Sequence, residues 1–220
     1  MREPVPEWQK FGETPWPLAA VASGDLKSAL AGFATRHLLD YRRRRQFYAD
    51  SDLSGFGSVL WLMGDQLGAA NVWSFAAEEA LKGRFRYSST GTFQPGLLLW
   101  FASVWLKDED WHDEAAALFE KLFRRKVPLM SGKFESLLAK LLRREISLGD
   151  VRGAYPSMQP QWRDDAECQA LFYAGVRAFE EGKIEETRLL WSQAPGLIDR
   201  EGQLEYYLMM HERTKLCAGD

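Results

Sequence analysis

The chain is predicted to be all-α: one domain of stacked antiparallel helical hairpins spanning residues 1–220. Three observations carry that expectation. Apolar residues recur at i, i+3, i+4 and i+7 in segment after segment, which buries one face of a helix. Runs that alternate with a period of two, as strands do, are scarce. Punctuation by Gly and Asp falls near residues 25, 65, 110, 150 and 183, at spacings of 33 to 45 residues, the length of a helix–turn–helix unit.

Residues 1–16 form an irregular N-terminal segment, whose prolines and charges stand where a secretory signal needs a continuous apolar core. The first hairpin turns at Gly24-Asp25-Leu26, with Ala29 and Phe33 following in "GDLKSALAGF" and His37 further along the second helix. The next turns at Gly64-Asp65, followed by Ala69 and Trp73 in "GDQLGAANVW". In each unit glycine tolerates the left-handed conformation that closes one helix, and Asp accepts the orphan N–H groups that open the next. A small residue four positions before an aromatic lets the two helices approach while the ring fills the remaining gap.

Residues 82–96, "KGRFRYSSTGTFQPG", contain almost nothing that favours a helix. Connections between packed helices are commonly about 2 to 8 residues long, so this stretch reads as an inserted loop. It is either packed on its neighbours through Phe85, Tyr87 and Phe93 or exposed as part of a binding edge. A phosphate cradle is a weak reading, because Phe93 and Pro95 separate Gly96 from the hydroxyl residues. A helix is expected from near Leu97, and the apolar run Leu97 to Leu106 is about half of the ~20 residues that span a bilayer.

Asp108 to Trp111 mark the next turn, ahead of a stripe made of Ala115, Leu118, Phe119 and Leu122. Phe134, Leu137, Leu138, Leu141 and Leu142 repeat the pattern, and Gly149-Asp150-Val151 supplies the following mark. Leu171, Phe172, Gly175 and Phe179 then form a stripe that leads to Gly182 and on to Thr187 and Trp191 in "GKIEETRLLW".

Composition bounds the function. In 220 residues, 46% are hydrophobic and 27% charged, as in ordinary globular proteins, and nine tryptophans leave much of the packing to large rings. A net charge of −3 offers no general attraction to nucleic acid or anionic membrane. Residues 121–150 nevertheless hold eight Lys/Arg against three Asp/Glu, and residues 151–220 hold eight against twelve. The two cysteines, Cys168 and Cys217, make no disulfide framework, so a reduced, cytoplasmic setting is expected, with no membrane span.

Chemistry-bearing motifs are few. His37, His112 and His211 lie far apart, with no metal-ligand spacing, and no phosphate-binding or nucleophile motif occurs. No catalytic residue, metal or cofactor is assigned, and an enzyme is not expected. "YRRRRQFY", residues 41–48, has the composition of a nucleic-acid site, but Asp40, Asp50 and Asp52 sit close enough to neutralise it. A nucleic-acid binder or enzyme built on that segment is retained only as an alternative. The acidic cluster around Trp111 has a local reason, since carboxylates meet the positive end of a helix dipole.

Two resemblances add to these readings. "YAGVRAFEEGKIEETRLLW", residues 173–191, resembles the tetratricopeptide class of helical repeats, with a small residue after the turn and an aromatic one helical turn later. The run from "GFGSVLWLMGDQLGAANVW" through "YSSTGTFQPGLLLWFASVWL", residues 55–106, resembles helical immunity proteins found beside bacterial polymorphic toxins. The latter implies a cytoplasmic protein that binds one cognate toxin domain and blocks it, with no chemistry of its own. A tetratricopeptide-like peptide-binding scaffold is the other binding alternative. Candidate partner contacts are Arg84, Phe85, Arg86, Tyr87 and Phe93 on expected exposure, and Asp108, Glu109, Asp110, Trp111, Asp164 and Asp165 on charge.

Overall fold

A computed structural model describes residues 17–43, 50–82, 93–124, 133–194 and 204–218, giving the backbone course alone for 36–43, 50–52 and 161. The described residues are all-helical, without a strand. The first four helices are α1 (Pro17–Ala22), α2 (Leu26–Arg43), α3 (Asp50–Leu62) and α4 (Gln66–Leu81). Next come α5 (Gln94–Leu106), α6 (Glu109–Arg124), α7 (Lys133–Leu142) and the short α8 (Leu148–Arg152). Two 3-10 turns, Tyr155–Ser157 and Pro160–Trp162, lead into α9 (Arg163–Glu180), α10 (Ile184–Ser192) and α11 (Leu204–Ala218).

Two helix pairs share one construction. The α3–α4 turn closes on Gly64 at φ 92° and the α9–α10 turn on Gly182 at φ 74°, conformations that a side chain would strain. Seven residues before each turn glycine, Gly57 and Gly175 leave room for a ring nine residues after it, Trp73 and Trp191. A Cβ at either position would collide with the indole nitrogen. Trp73 Nε1 donates to the Ser54 carbonyl at 3.2 Å, and Trp191 Nε1 donates to the Phe172 carbonyl at 3.1 Å. Both tryptophans are fully buried, so the hydrogen bond spares an indole N–H that would otherwise lose its water unpaired. These contacts set α4 antiparallel to α3 and α10 antiparallel to α9.

The apolar run at 97–106 belongs to α5, which is buried on all sides from Gln94 to Val104. A helix that is apolar all round belongs in a core, and α5 is the central helix here. It packs on α4 and α6 and also meets α3, α7 and α9. On α6 the expected stripe of Ala115, Leu118, Phe119 and Leu122 is buried. Rings link the helices through the core: Trp61 lies 4.6 Å from Phe101, Phe101 lies 5.1 Å from Phe172, and Trp105 stacks on Trp191 at 5.4 Å between centroids.

Three local expectations need correction. The helix expected from near Leu97 starts at Gln94, with Pro95 in its first turn, where a missing N–H costs nothing. Residues 94–96 are therefore helix and not part of the inserted loop; 83–92 lie outside the described residues. Phe93, a candidate on exposure, is 2% exposed and stacks 6.1 Å from Phe119. The mark at Gly149-Asp150 opens only the five-residue α8, whose Ser147–Asp150 capping box starts a helix that Gly153 and the following prolines stop.

Candidate interaction surfaces

The inward stripe of α11 consists of Glu205, Leu208, Met209 and Glu212, the same i, i+3, i+4, i+7 spacing used elsewhere but with a carboxylate at each end. Both glutamates are buried. Glu212 is gripped from two helices: Trp61 Nε1 of α3 donates to Oε1 at 2.6 Å, and Trp105 Nε1 of α5 donates to Oε2 at 2.7 Å. Lys215 Nζ adds a bond to Oε1 at 2.9 Å. The Glu205 Oε1 accepts from Gln94 Nε2 at 2.5 Å, from Gln169 Nε2 at 3.3 Å and from the Tyr173 hydroxyl at 3.4 Å. Those three donors are neutral, and burial pushes the Glu205 carboxyl above its ordinary value.

These contacts also orient the molecule. Glu205 opens α11 and meets the first residue of α5 and the second turn of α9, whereas Glu212 meets the final turns of α3 and α5. Helices α3, α5, α9 and α11 thus run in one direction. They begin at one end of the molecule, here the entry end, and α3, α5 and α9 finish at the opposite turn end, with its tight connections.

The sequence candidates divide between these ends. Asp108, Glu109, Asp110 and Trp111 lie at the turn end. Asp108 is spent locally, accepting the Trp111 N–H at 3.0 Å as the cap of α6. Glu109 and Asp110 are exposed in the first turn of α6, and Trp111 is half-buried. Asp164 and Asp165 lie at the entry end, in the first turn of α9, about 24 Å from Glu180 at the rate of 1.5 Å per helical residue. The two acidic groups therefore do not form one patch. Arg84, Phe85, Arg86 and Tyr87 lie outside the described residues, as do the side chains of the arginine segment and of His37. Their flanks, Lys82 closing α4 and Phe93 opening α5, sit at the entry end.

Sequence reasoning passed over Trp162, which is 59% exposed immediately before α9 and beside Asp164 and Asp165. Its signal was available: a tryptophan next to charge and just after Pro160 has no place in an amphipathic stripe. Glu205 and Glu212 were also missed, because carboxylates at stripe positions look like solvated charges until the facing donors are known.

At the turn end the charges are interlocked. Arg144 reaches Glu180 at 3.5 Å and Glu181 at 3.4 Å, Lys183 reaches Glu181 at 2.7 Å, and His112 Nε2 lies 3.2 Å from Glu180 Oε1 without hydrogen-bond geometry. Lys183, the largest influence, holds the Glu181 carboxyl below its usual range. Beside this network is a cleft of about 80 Å³ lined by Leu141, Leu148, Arg177 and Leu190 among others. Arg177 is engaged there with the Ile146 carbonyl at 3.3 Å. Cys168 is buried, and burial pushes its thiol up to about 12, so it is no nucleophile at neutral pH. Among the described residues no group of His, Cys, Asp and Glu is arranged to hold a metal ion, and no helix is long and apolar enough to cross a membrane.

No family model, curated protein or solved structure matches the chain.

Proposed function

We propose that the protein is a protein-binding inhibitor of the immunity type, which blocks a cognate toxin domain by direct contact and performs no reaction of its own. Trp162 carries this reading: a large exposed ring beside two carboxylates, Asp164 and Asp165, at the same end as the flanks of the 83–92 segment. Interfaces draw most of their energy from a few aromatic anchors within a polar rim, and acidic side chains suit a basic nucleic-acid-directed toxin. Arg84, Phe85, Arg86 and Tyr87 stay partner candidates on their sequence alone, while Glu109, Asp110 and Trp111 would form a separate, secondary surface. The setting on this reading is cytoplasmic and bacterial.

The helical units fit a single tetratricopeptide-like repeat domain. Support comes from the matched sets Gly57, Gly64, Ala69, Trp73 and Gly175, Gly182, Thr187, Trp191, which keep the same intervals and the same indole-to-carbonyl bond. A peptide-binding scaffold would use the inner face of such a stack for an extended segment. In this chain α11 packs on α3, α9 and α10 and is hydrogen-bonded to α5, which favours the entry end as the place for a partner.

The test is co-expression and titration with the toxin domain encoded beside the gene. Wild-type protein should protect cells and bind, and Trp162→Ala should weaken binding by roughly thirtyfold, about 2 kcal/mol, with an unchanged melting temperature. Failure to bind, or full binding by Trp162→Ala, would count against the reading.

A further inference from the structure

The connection between α8 and α9 is built as a closed loop rather than an open linker. Helix α8 stops after five residues, and residues 153–162 carry the chain to the start of α9 at the entry end. Pro156 and Pro160 fix their own φ in the two 3-10 turns. Within the loop the Ser157 N–H donates to the Ala154 carbonyl at 3.2 Å, the Met158 N–H to the Tyr155 carbonyl at 2.9 Å and the Trp162 N–H to the Gln159 carbonyl at 3.0 Å. Arg163 Nη2 reaches back to the Met158 carbonyl at 3.4 Å, and the Tyr155 ring lies 6.2 Å from Phe134 of α7. One ion pair closes the base. Arg152 Nε, on the last residue of α8, donates to both oxygens of Glu167 on α9, at 3.1 and 3.2 Å, and its Nη2 donates to Oε1 as well. A guanidinium that holds a carboxylate through two nitrogens is the strong form of such a pair, and it fixes an orientation as well as a distance. Pro156, Pro160 and Trp162 are exposed on the loop so closed.

We propose that Arg152 and Glu167 are positioning residues: their ion pair keeps 153–162 in one conformation, so that the loop and Trp162 meet the toxin domain as a preformed face. The proposal rests on the reading of Trp162 as a partner contact and adds how that contact is held ready. A surface loop has little closing free energy to spare, so loss of the pair leaves it open for a substantial part of the time. A partner then binds less tightly in proportion to the fraction that is closed. Arg152 and Glu167 act through the loop and need not touch the partner themselves.

The experiment uses the full chain and two variants, Arg152→Gln and Glu167→Gln, which change the net charge in opposite directions. In the free protein both should exchange the Ser157, Met158 and Trp162 amide hydrogens at least about threefold faster, with an unchanged melting temperature. The charge swap Arg152→Glu with Glu167→Arg should slow them again. Against the toxin domain expected beside the gene, both single variants should lose about threefold in affinity, through slower association with an unchanged dissociation rate, and the swap should restore it. Electrostatic steering would instead move the association rates of the two variants in opposite directions. The proposal is overturned if loop exchange is unchanged in both variants, if their affinities shift in opposite directions, or if the loop opens while affinity holds. A wild-type chain that binds no toxin domain while its loop exchanges as predicted refutes the inhibitor reading and leaves the clamp supported.

Discussion

At Glu205 the surroundings of a single side chain make stability depend on pH. Its carboxyl is raised above the ordinary value of 4.5, chiefly by burial, so the folded state holds the proton more tightly than the unfolded chain. The stabilisation from that proton is complete below the unfolded value and is lost as pH rises through the folded one. His211 works in the opposite sense, because burial lowers its value and protonation at low pH is then disfavoured. The informative quantity is therefore the difference between wild type and Glu205→Gln: the variant's advantage in melting temperature should grow from pH 5 to pH 8, and thermal melts across that range would check it. Trp191 gives the clearest packing test. It is fully buried against Gly175 and bonded to the Phe172 carbonyl, so Trp191→Ala should cost about 3–5 kcal/mol in urea unfolding.

The helices were legible in the sequence where local chemistry decides them. Asp65 accepts the Gly68 N–H at 2.9 Å, Asp108 accepts the Trp111 N–H, and the glycine turns fall at the expected positions. Asp108→Ala should therefore lower stability by about 1 kcal/mol, whereas Asp108→Asn, which keeps the acceptor oxygen, should restore most of it; chemical denaturation of the two variants separates a cap from a binding residue. Boundaries were less legible. The start of α5 follows from Phe93 finding Phe119 and Phe123, a tertiary contact that no local pattern announces. Likewise, α8 stays short because glycines and prolines crowd it, although its turn mark looked like the others.

At the scale of the molecule, the all-helical character of the described residues was evident because most burying faces have a helical period, α5 being apolar all round. The assignment of surfaces was not. Acidic groups that appear equivalent in the sequence lie at opposite ends of α9, and the glutamates of α11 face inward because distant indoles and amides await them. Long-range donors of this kind, 107 to 151 residues away in the chain, leave no local trace. The inhibitor reading rests on the surface that remains outside. Its most direct test is amide hydrogen exchange with and without the toxin domain that this proposal expects to be encoded beside the gene. Protection concentrated at Trp162 to Glu167 and at the residues flanking Phe93 is the predicted result. Protection confined to the start of α6, or no complex at all, would contradict it.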